Sequence, residues 1–364
     1  MILEGKGLFI WRVRACENGD VQAIADVAKA AGLTHVLLKV ADGNFNYNVD
    51  VKTGEDLAAK ATNALKAKNI KVVGWHYVYG YDPLAEADRA IQRVKQLGLD
   101  GYVIDAEAEY KDQNRTARLY MDRLRAGLPS FPIGLSSYRF PNLHPQLPWK
   151  EFLLKCDFNM PQVYWINSHN PGDQLLRCLQ SFQKITPFRP IIPTGATFKQ
   201  GLWQPSIEDI SQFVETARKL NMPAVNFWEW SKVRHYLPEI WEWFAGYNWP
   251  GGPPASQDIT QKYISALNQG DLDQVMKLYM PDAVHVTEKH AIQGTTQIRN
   301  FYDSFLHKDL AQGVFILANY SGEGSIRHMD WTATARSGSV HNGSDTFGLL
   351  KDKIAYHYSD YQIY

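Results

Sequence analysis

Eight short apolar runs, rich in β-branched and aromatic residues, recur within the first 230 residues of the chain. They cover residues 7–11, 35–41, 72–79, 101–106, 133–138, 158–165, 190–197 and 224–230. Stretches with helical periodicity alternate with them, which is typical of a parallel sheet covered by helices. Eight such units close a barrel, so the sequence predicts an α/β fold of the (β/α)8 barrel kind.

The predicted helices carry their own start and stop signals. Asp20 precedes an amphipathic run that Gly32 ends, and similar patterns predict helices at 54–68, 84–97, 114–126 and 206–220. Gly32 and Gly98 each stand just before a predicted strand, where glycine suits the C-terminal cap of a helix. This alternation of strands and helices favours a barrel over a β-sandwich.

A break follows the eighth run. Residues 249–256 read Trp-Pro-Gly-Gly-Pro-Pro-Ala-Ser, which neither a helix nor a strand can cross intact. We therefore predict a barrel domain at 1–248, a linker at 249–255 and a second domain at 256–364. In the second domain, helices predicted at 257–280 and 295–306 precede strands at 314–319, 328–335, 344–351 and 353–364, which indicates an α+β fold.

Length and charge restrict the function classes. The 364 residues fit a barrel of roughly 250 residues plus a module of about 100. Lys plus Arg and Asp plus Glu both number 38, so no net charge favours nucleic acid or an anionic membrane, and a neutral substrate fits this balance. No apolar run reaches the roughly 20 residues of a membrane span.

Neither the cysteine spacing nor the N-terminal residues indicate a function. The three cysteines are widely spaced and predict neither a disulfide framework nor a metal site. The first residues lead into a strand without the apolar segment of a signal peptide. The location of the protein is therefore left undecided. It could stay in the cytoplasm, be released by lysis, or be exported with a signal that has been removed.

Two carboxylates, Asp105 and Glu107, end the fourth predicted strand. Barrel enzymes carry their chemistry at the C-terminal strand ends, and residues at i and i+2 of a strand face the same side. Burial and mutual repulsion would raise one carboxyl pKa, which gives the acid and the carboxylate that glycoside hydrolysis needs. The alternative is a structural ion pair of Asp105 with Lys39 or Arg139. We expect Glu109 at the surface.

Glu229, on the eighth run, lies between Trp228 and Trp230. This apolar setting would raise its pKa and suit a second catalytic carboxylate. The alternative is a carboxylate that is hydrogen-bonded to a neighbouring tryptophan or tyrosine.

Other strand ends carry aromatic and polar side chains suited to a sugar ligand, because aromatic rings stack on the apolar faces of sugars. Some of these rings would instead belong to ordinary barrel packing. The candidates for substrate binding are Lys39, Trp75, His76, Tyr77, Tyr138, Gln162, Trp228 and Trp230.

Several of these segments match a known family. Thr34-His-Val-Leu-Leu-Lys39, Val73-Gly-Trp-His-Tyr77 and Tyr102-Val-Ile-Asp-Ala-Glu107 resemble the second, third and fourth strands of glycoside hydrolase family 25 lysozymes. The resemblance spans residues 7–231, and Phe227-Trp-Glu-Trp230 resembles that family's closing Trp-Gln-Tyr strand. Residues 100–107 also resemble the family 18 chitinase motif, with Val103 in place of an Asp.

The resemblance implies roles for individual residues. Glu107 would be the general acid, Asp105 would orient it or stabilise an oxocarbenium or oxazolinium species, and Tyr164 would hydrogen-bond the reacting sugar. The first strand lacks the Asp that family 25 lysozymes carry there. Trp165 replaces the Asp of the family 18 pattern.

We therefore expect a glycosidase that acts on an amino-sugar polysaccharide such as peptidoglycan. One alternative is a carbohydrate-binding or scaffold protein with a degenerate barrel site and a dimerising second domain. Another is a lyase that forms a Schiff base at Lys39. His76, His144 and His169 show no ligand spacing and no Gly-rich phosphate loop opens a helix, so neither a metal nor a cofactor is predicted.

The second domain resembles another family. Residues 259–286, 294–302 and 345–354 resemble SnoaL-like domains of the ketosteroid isomerase superfamily, which enclose an apolar pocket between a bent sheet and helices. Such domains serve as small enzymes or as binding and dimerising modules, so a homodimer is the expected assembly. The candidate polar groups of its pocket are His285, Tyr302, Trp331, Asp345 and His357.

Overall fold

The computed structural model describes residues 3–247, 249, 258–322 and 324–364. The chain forms two compact units, of which the first comprises most of residues 3–247 and the second includes residues 258–364. The predicted linker lies outside the described residues, apart from Trp249. Among the described residues, no helix combines the length and apolar character that crossing a bilayer requires.

The first unit is a closed parallel barrel, as predicted. Strand β1 pairs with both β2 and β9, which closes the ring, and a two-residue strand, β3 (Phe45–Asn46), forms a hairpin with β2. The barrel strands are β1 (Gly5–Ile10), β2 (His35–Asp42), β4 (Lys71–Val78), β5 (Gly101–Ala106), β6 (Ile133–Tyr138), β7 (Phe158–Gln162), β8 (Thr194–Ala196) and β9 (Ala224–Trp228).

Helices connect these strands, and several begin at an aspartate. The side chains of Asp20, Asp56 and Asp82 accept hydrogen bonds from backbone N–H groups of the first turn, which would otherwise lack partners. The helices are α1 (Val21–Ala30), α2 (Leu57–Ala67), α3 (Pro83–Leu97), α4 (Asn114–Gly127), α5 (Trp149–Leu153), α6 (Pro171–Phe182), α7 (Ile207–Lys219), α8 (Trp230–Tyr236) and α9 (Pro238–Gly246).

Large apolar side chains fill the barrel interior below the strand ends. Phe9, Trp75, Phe158 and Met160 belong to one buried cluster there. A glycine makes room for one of these rings, because a Cβ at Gly134 would lie 2.1 Å from the ring of Phe158. The interior is therefore a packed core, and ligands are expected at its C-terminal mouth.

The second unit has the predicted α+β organisation with two additional strands. Its sheet has the order β11-β10-β15-β14-β13-β12. The predicted helix at 257–280 is two helices that end at Lys277, and the chain then enters β10, which the sequence reading missed together with β11. The elements are α10 (Ile259–Gln269), α11 (Leu272–Lys277), β10 (Tyr279–Thr287), β11 (Ala291–Gln293), α12 (Thr295–Ser304), β12 (Val314–Ser321), β13 (Ile326–Thr334), β14 (Ser339–Leu350) and β15 (Lys353–Asp360).

Candidate functional site

A cavity of 270 Å³ opens at the C-terminal ends of the barrel strands. Its walls come from residues at or just after the ends of several strands, as expected for a barrel enzyme. Its volume is slightly below the roughly 300–1,000 Å³ typical of small-molecule sites. The lining residues are Trp11, Lys39, Trp75, Tyr77, Asp105, Glu107, Gln162, Tyr164 and Trp228.

Asp105 and Glu107 lie together in this cavity, and Gln162 links them. The side-chain amide of Gln162 donates to Asp105 Oδ1 at 3.1 Å and to Glu107 Oε1 at 2.9 Å. These two carboxylate oxygens are therefore at most about 6 Å apart, which is shorter than the carboxyl separation of inverting glycosidases. β5 and β7 both flank β6, which brings the amide to the carboxylates.

Burial gives the pair a perturbed acidity. Burial raises the pKa of Asp105 well above its usual range, the neighbouring charge of Glu107 raises it further, and the charge of Lys39 opposes the rise. Burial also raises the pKa of Glu107, whereas the hydrogen bond from Gln162 lowers it and the charge of Glu109 raises it. The pair therefore retains a proton to higher pH than a solvated carboxyl would, while Glu107 stays partly exposed.

Lys39 is the cation of the cavity. Its side chain is buried, and Nζ donates to Asp42 Oδ2 at 2.9 Å, so its ion-pair partner is Asp42 and not the Asp105 of the alternative prediction. Nζ also lies 4.3 Å from the ring centroid of Tyr47 and 4.8 Å from that of Trp75. Aromatic faces and a carboxylate thus hold the ammonium in place.

Tryptophan rings form part of the cavity wall. The Trp228 ring centroid lies 5.3 Å from that of Trp75 and 6.2 Å from that of Trp11. The Trp75 indole N–H donates to the carbonyl of Ile10 at 3.1 Å, which fixes its orientation. Such rigid aromatic faces suit the apolar face of a sugar ring.

Some predicted site residues lie elsewhere. Glu229 caps the N-terminus of α8, where its carboxylate accepts from the Ser231 hydroxyl at 2.5 Å and the Lys232 backbone N–H at 3.1 Å. Glu229 is therefore a hydrogen-bonded carboxylate, as in the alternative prediction, but its donors are Ser231 and Lys232 instead of a tryptophan or tyrosine. The buried Trp230 donates through its indole N–H to Glu17 at 3.1 Å.

His76 and Tyr138 are also outside the cavity lining. The ring nitrogens of His76 contact the Tyr102 hydroxyl and the Gly43 carbonyl, each at 2.8 Å, inside the barrel wall. The ring of Tyr138 stacks on that of His144 with centroids 3.7 Å apart. His76 is therefore a structural residue, and Tyr138 stands beside the cavity.

One lining residue escaped the sequence reading, and the burial of a neighbouring residue differs from the prediction. Trp11 lines the cavity and directly follows β1, so the strand-end rule applied to β1 would have found it. Glu109, expected at the surface, is half-buried and accepts a hydrogen bond from the Tyr77 hydroxyl at 2.8 Å. The alternation of β5 ends at Ala106 and Glu109 lies in a following 3-10 turn, so strand spacing gave no signal for its burial.

The second unit contains a buried polar network. The Tyr302 hydroxyl lies 2.7 Å from that of Tyr263 and 2.8 Å from that of Tyr279, which in turn lies 2.6 Å from His357 Nδ1. All four side chains are buried. Three of the five candidate polar groups, His285, Asp345 and His357, meet at the far side of this network.

Ser359 connects the two histidines. Its hydroxyl lies 3.0 Å from His285 Nε2 and 2.9 Å from His357 Nε2, and the imidazoles stack with centroids 4.1 Å apart. Asp345 Oδ2 lies 3.3 Å from that same Nε2 of His357. A Ser-His-Asp relay needs the two ring nitrogens for its two partners, so this cluster is not one. Burial lowers the pKa of His285 to about 2, which keeps it neutral.

The remaining candidate, Trp331, packs against Phe315 and Phe305, and its indole N–H has no hydrogen-bond partner within the described residues. Across those residues, no group of three or more His, Cys, Asp or Glu side chains is arranged to hold a metal ion.

Comparisons with known proteins agree with this architecture. Residues 260–357 match the model of the SnoaL-like domain. A glycoside hydrolase family 18 chitinase from Pseudoalteromonas aurantia superposes with a TM-score of 0.50 at 16% identity, covering 66% of this chain and 97% of that chain. An NTF2-like protein of unknown function from Cytophaga hutchinsonii covers 29% of this chain and 88% of its own, with a TM-score of 0.26 and 13% identity.

No curated protein matches the chain. At such low identity, the likeness to the chitinase shows a glycoside-hydrolase-like barrel fold alone. The second unit is a SnoaL-like domain.

Proposed function

We propose that the barrel is a lysozyme-like glycosidase that cleaves an amino-sugar polysaccharide such as peptidoglycan. The observation that carries this proposal is the Asp105 and Glu107 pair, which Gln162 bridges and which lines a cavity rich in aromatic side chains. Glycoside hydrolysis requires a protonated carboxyl and an ionised one close to the scissile bond, and this pair supplies both.

Each residue has a role in this scheme. Glu107, which is partly exposed, protonates the glycosidic oxygen, and the more deeply buried Asp105 shares the proton and stabilises positive charge on the sugar. The distance limit of about 6 Å between their oxygens favours retention of configuration. Tyr164 offers its hydroxyl to the reacting sugar, and Trp75 and Trp228 stack on its rings.

The motif resemblance to family 25 lysozymes supports an amino-sugar substrate. It rests on the strand segments that end in Lys39, Tyr77 and Glu107, and all three residues line the cavity. The resemblance extends to Trp228 at the end of β9, which lines the same cavity.

A Glu107→Gln variant tests the proposal. The amide has nearly the shape of the carboxyl but donates no proton, so release of reducing ends from cell-wall glycan should fall by about a hundredfold or more. Glu239→Gln, at an exposed glutamate on α9, is the matched control and should retain full activity. Unchanged activity of Glu107→Gln, with an unchanged circular dichroism spectrum, would refute the assignment.

One observation favours a second candidate function, glycan binding without hydrolysis. The end of β1 places Trp11 in the cavity and contributes no carboxylate, whereas family 25 lysozymes carry an Asp on that strand. Calorimetric binding of oligosaccharide by the wild-type protein, with no new reducing ends after prolonged incubation, would select this function.

A further inference from the structure

A second cavity lies at the same end of the barrel. It has a volume of 410 Å³ and is formed by the segment after β1 and by the first turns of α8, which follows β9. β1 and β9 are neighbours in the barrel, so the two segments stand side by side. Trp11 lines both this cavity and the one that holds Asp105 and Glu107. A bound chain could therefore continue from one cavity into the other.

The side chains around this second cavity, which we call the basic cleft, are mainly cationic. Arg12, Arg14 and Lys232 line it and are exposed, and Glu229 is the sole acidic residue of the lining, already occupied as the cap of α8. Arg14 has a partner, because it forms an ion pair with Asp50. The cleft therefore has a net positive charge.

Two of these cations are available to a ligand. Neither Arg12 nor Lys232 forms an ion pair within the described part of the chain. The Arg12 guanidinium lies 4.8 Å from the ring centroid of Trp11, and Lys232 Nζ lies 5.6 Å from that of Tyr236. Rings restrict both side chains without neutralising them, which leaves their charges for an anion.

The first cavity has no such surplus of charge. There the ammonium of Lys39 is already paired with Asp42, and the other ionisable carboxyls of the lining are Asp105 and Glu107. We propose that the basic cleft is a subsite for a carboxylate-bearing substituent on the sugar next to the one at Glu107. Guanidinium and ammonium groups recognise carboxylates through charge-assisted hydrogen bonds.

This inference rests on the proposed glycosidase function and narrows its substrate to glycans with acidic substituents. It distinguishes peptidoglycan, whose sugars and peptides carry carboxylates, from chitin, which is uncharged. Because the two cations are exposed, the attraction weakens as salt concentration rises.

Calorimetry in the Glu107→Gln background, which prevents turnover, measures the preference. The ligands are soluble peptidoglycan fragments with free carboxylates and the same fragments after amidation of those carboxylates. We expect the free acid to bind about tenfold more tightly at low ionic strength, with the difference shrinking as salt is added. Adding Arg12→Gln and Lys232→Gln should abolish the difference and leave the affinity for the amidated fragments unchanged.

The matched control is Lys95→Gln, which removes an exposed lysine near the C-terminus of α3 and should keep the full preference. Equal affinity for both ligands would overturn the subsite, and so would a preference that survives loss of Arg12 and Lys232. If the wild-type protein still cleaves glycan in either case, the glycosidase proposal stands without the subsite. Failure of the wild type to bind or cleave any fragment would overturn both.

Discussion

Acid should destabilise the barrel through a buried histidine, His76. Burial lowers the pKa of His76 from 6.5 to about 4. Its two ring nitrogens face a carbonyl, which must accept, and the Tyr102 hydroxyl, which can donate, and this arrangement satisfies a neutral ring. A second ring proton would point at the Tyr102 hydroxyl and remove the hydrogen bond that the neutral ring accepts.

The direction and size of this loss of stability follow from the linkage between proton binding and folding. In the unfolded chain the ring takes up its proton near pH 6.5, whereas in the folded barrel it does so only near pH 4. The free energy of unfolding is therefore unaffected by this histidine above about pH 6.5, and it falls as the pH drops from 6.5 to about 4. The loss amounts to about 3 kcal/mol by pH 4, since one pKa unit corresponds to about 1.36 kcal/mol.

The assay compares wild type with His76→Gln by urea unfolding, followed by tryptophan fluorescence, at about pH 7.5 and about pH 4. The variant has lost the titrating ring, so its deficit in unfolding free energy should shrink by about 3 kcal/mol on acidification. His235→Gln, at an exposed histidine of the same unit, controls for loss of a histidine as such. A deficit of the same size at both pH values would refute the reasoning.

Two further predictions concern the hydrogen bonds of each unit. Gln162→Leu removes the donor that stabilises ionised Glu107, so the pKa of this general acid rises and the alkaline limb of the pH profile of glycan hydrolysis should move to higher pH; an unchanged profile would contradict this. Tyr302→Phe removes the hydroxyl shared by the buried network and should destabilise the second unit by about 1–3 kcal/mol, seen as faster hydrogen exchange in β10 and β15. Tyr320→Phe, at an exposed tyrosine, should leave exchange unchanged.

The barrel could be predicted because strands that are buried on both faces appear in the sequence as continuous apolar runs. The run at 101–106 coincides with β5, in which all six residues are buried. α6 was not predicted, although Pro171 at its first turn and the spacing of Leu175, Cys178 and Phe182 provided the pattern. β10 was missed because Pro281 and a register shift between Tyr279 and Val284 interrupt its alternation.

Within the site, sequence spacing placed Asp105 and Glu107 together because the two-residue period of a strand is reliable. It could not place Glu229, since two flanking tryptophans indicate an apolar setting but do not reveal that the chain enters a helix at that residue. The Ser231 hydroxyl and the Lys232 backbone N–H donate the capping hydrogen bonds to Glu229, and a backbone donor such as that of Lys232 has no signature in side-chain chemistry.

The tryptophans around the first cavity also provide a spectroscopic signal for ligand binding in solution. Trp228 stands 5.3 Å from Trp75 and 6.2 Å from Trp11, with the planes inclined at 69° and 36°. Transition dipoles held this close and at fixed angles couple, which produces paired bands of opposite sign in the far-ultraviolet circular dichroism of the indole rings. A glycan that stacks on these rings would change those bands without any label on protein or sugar.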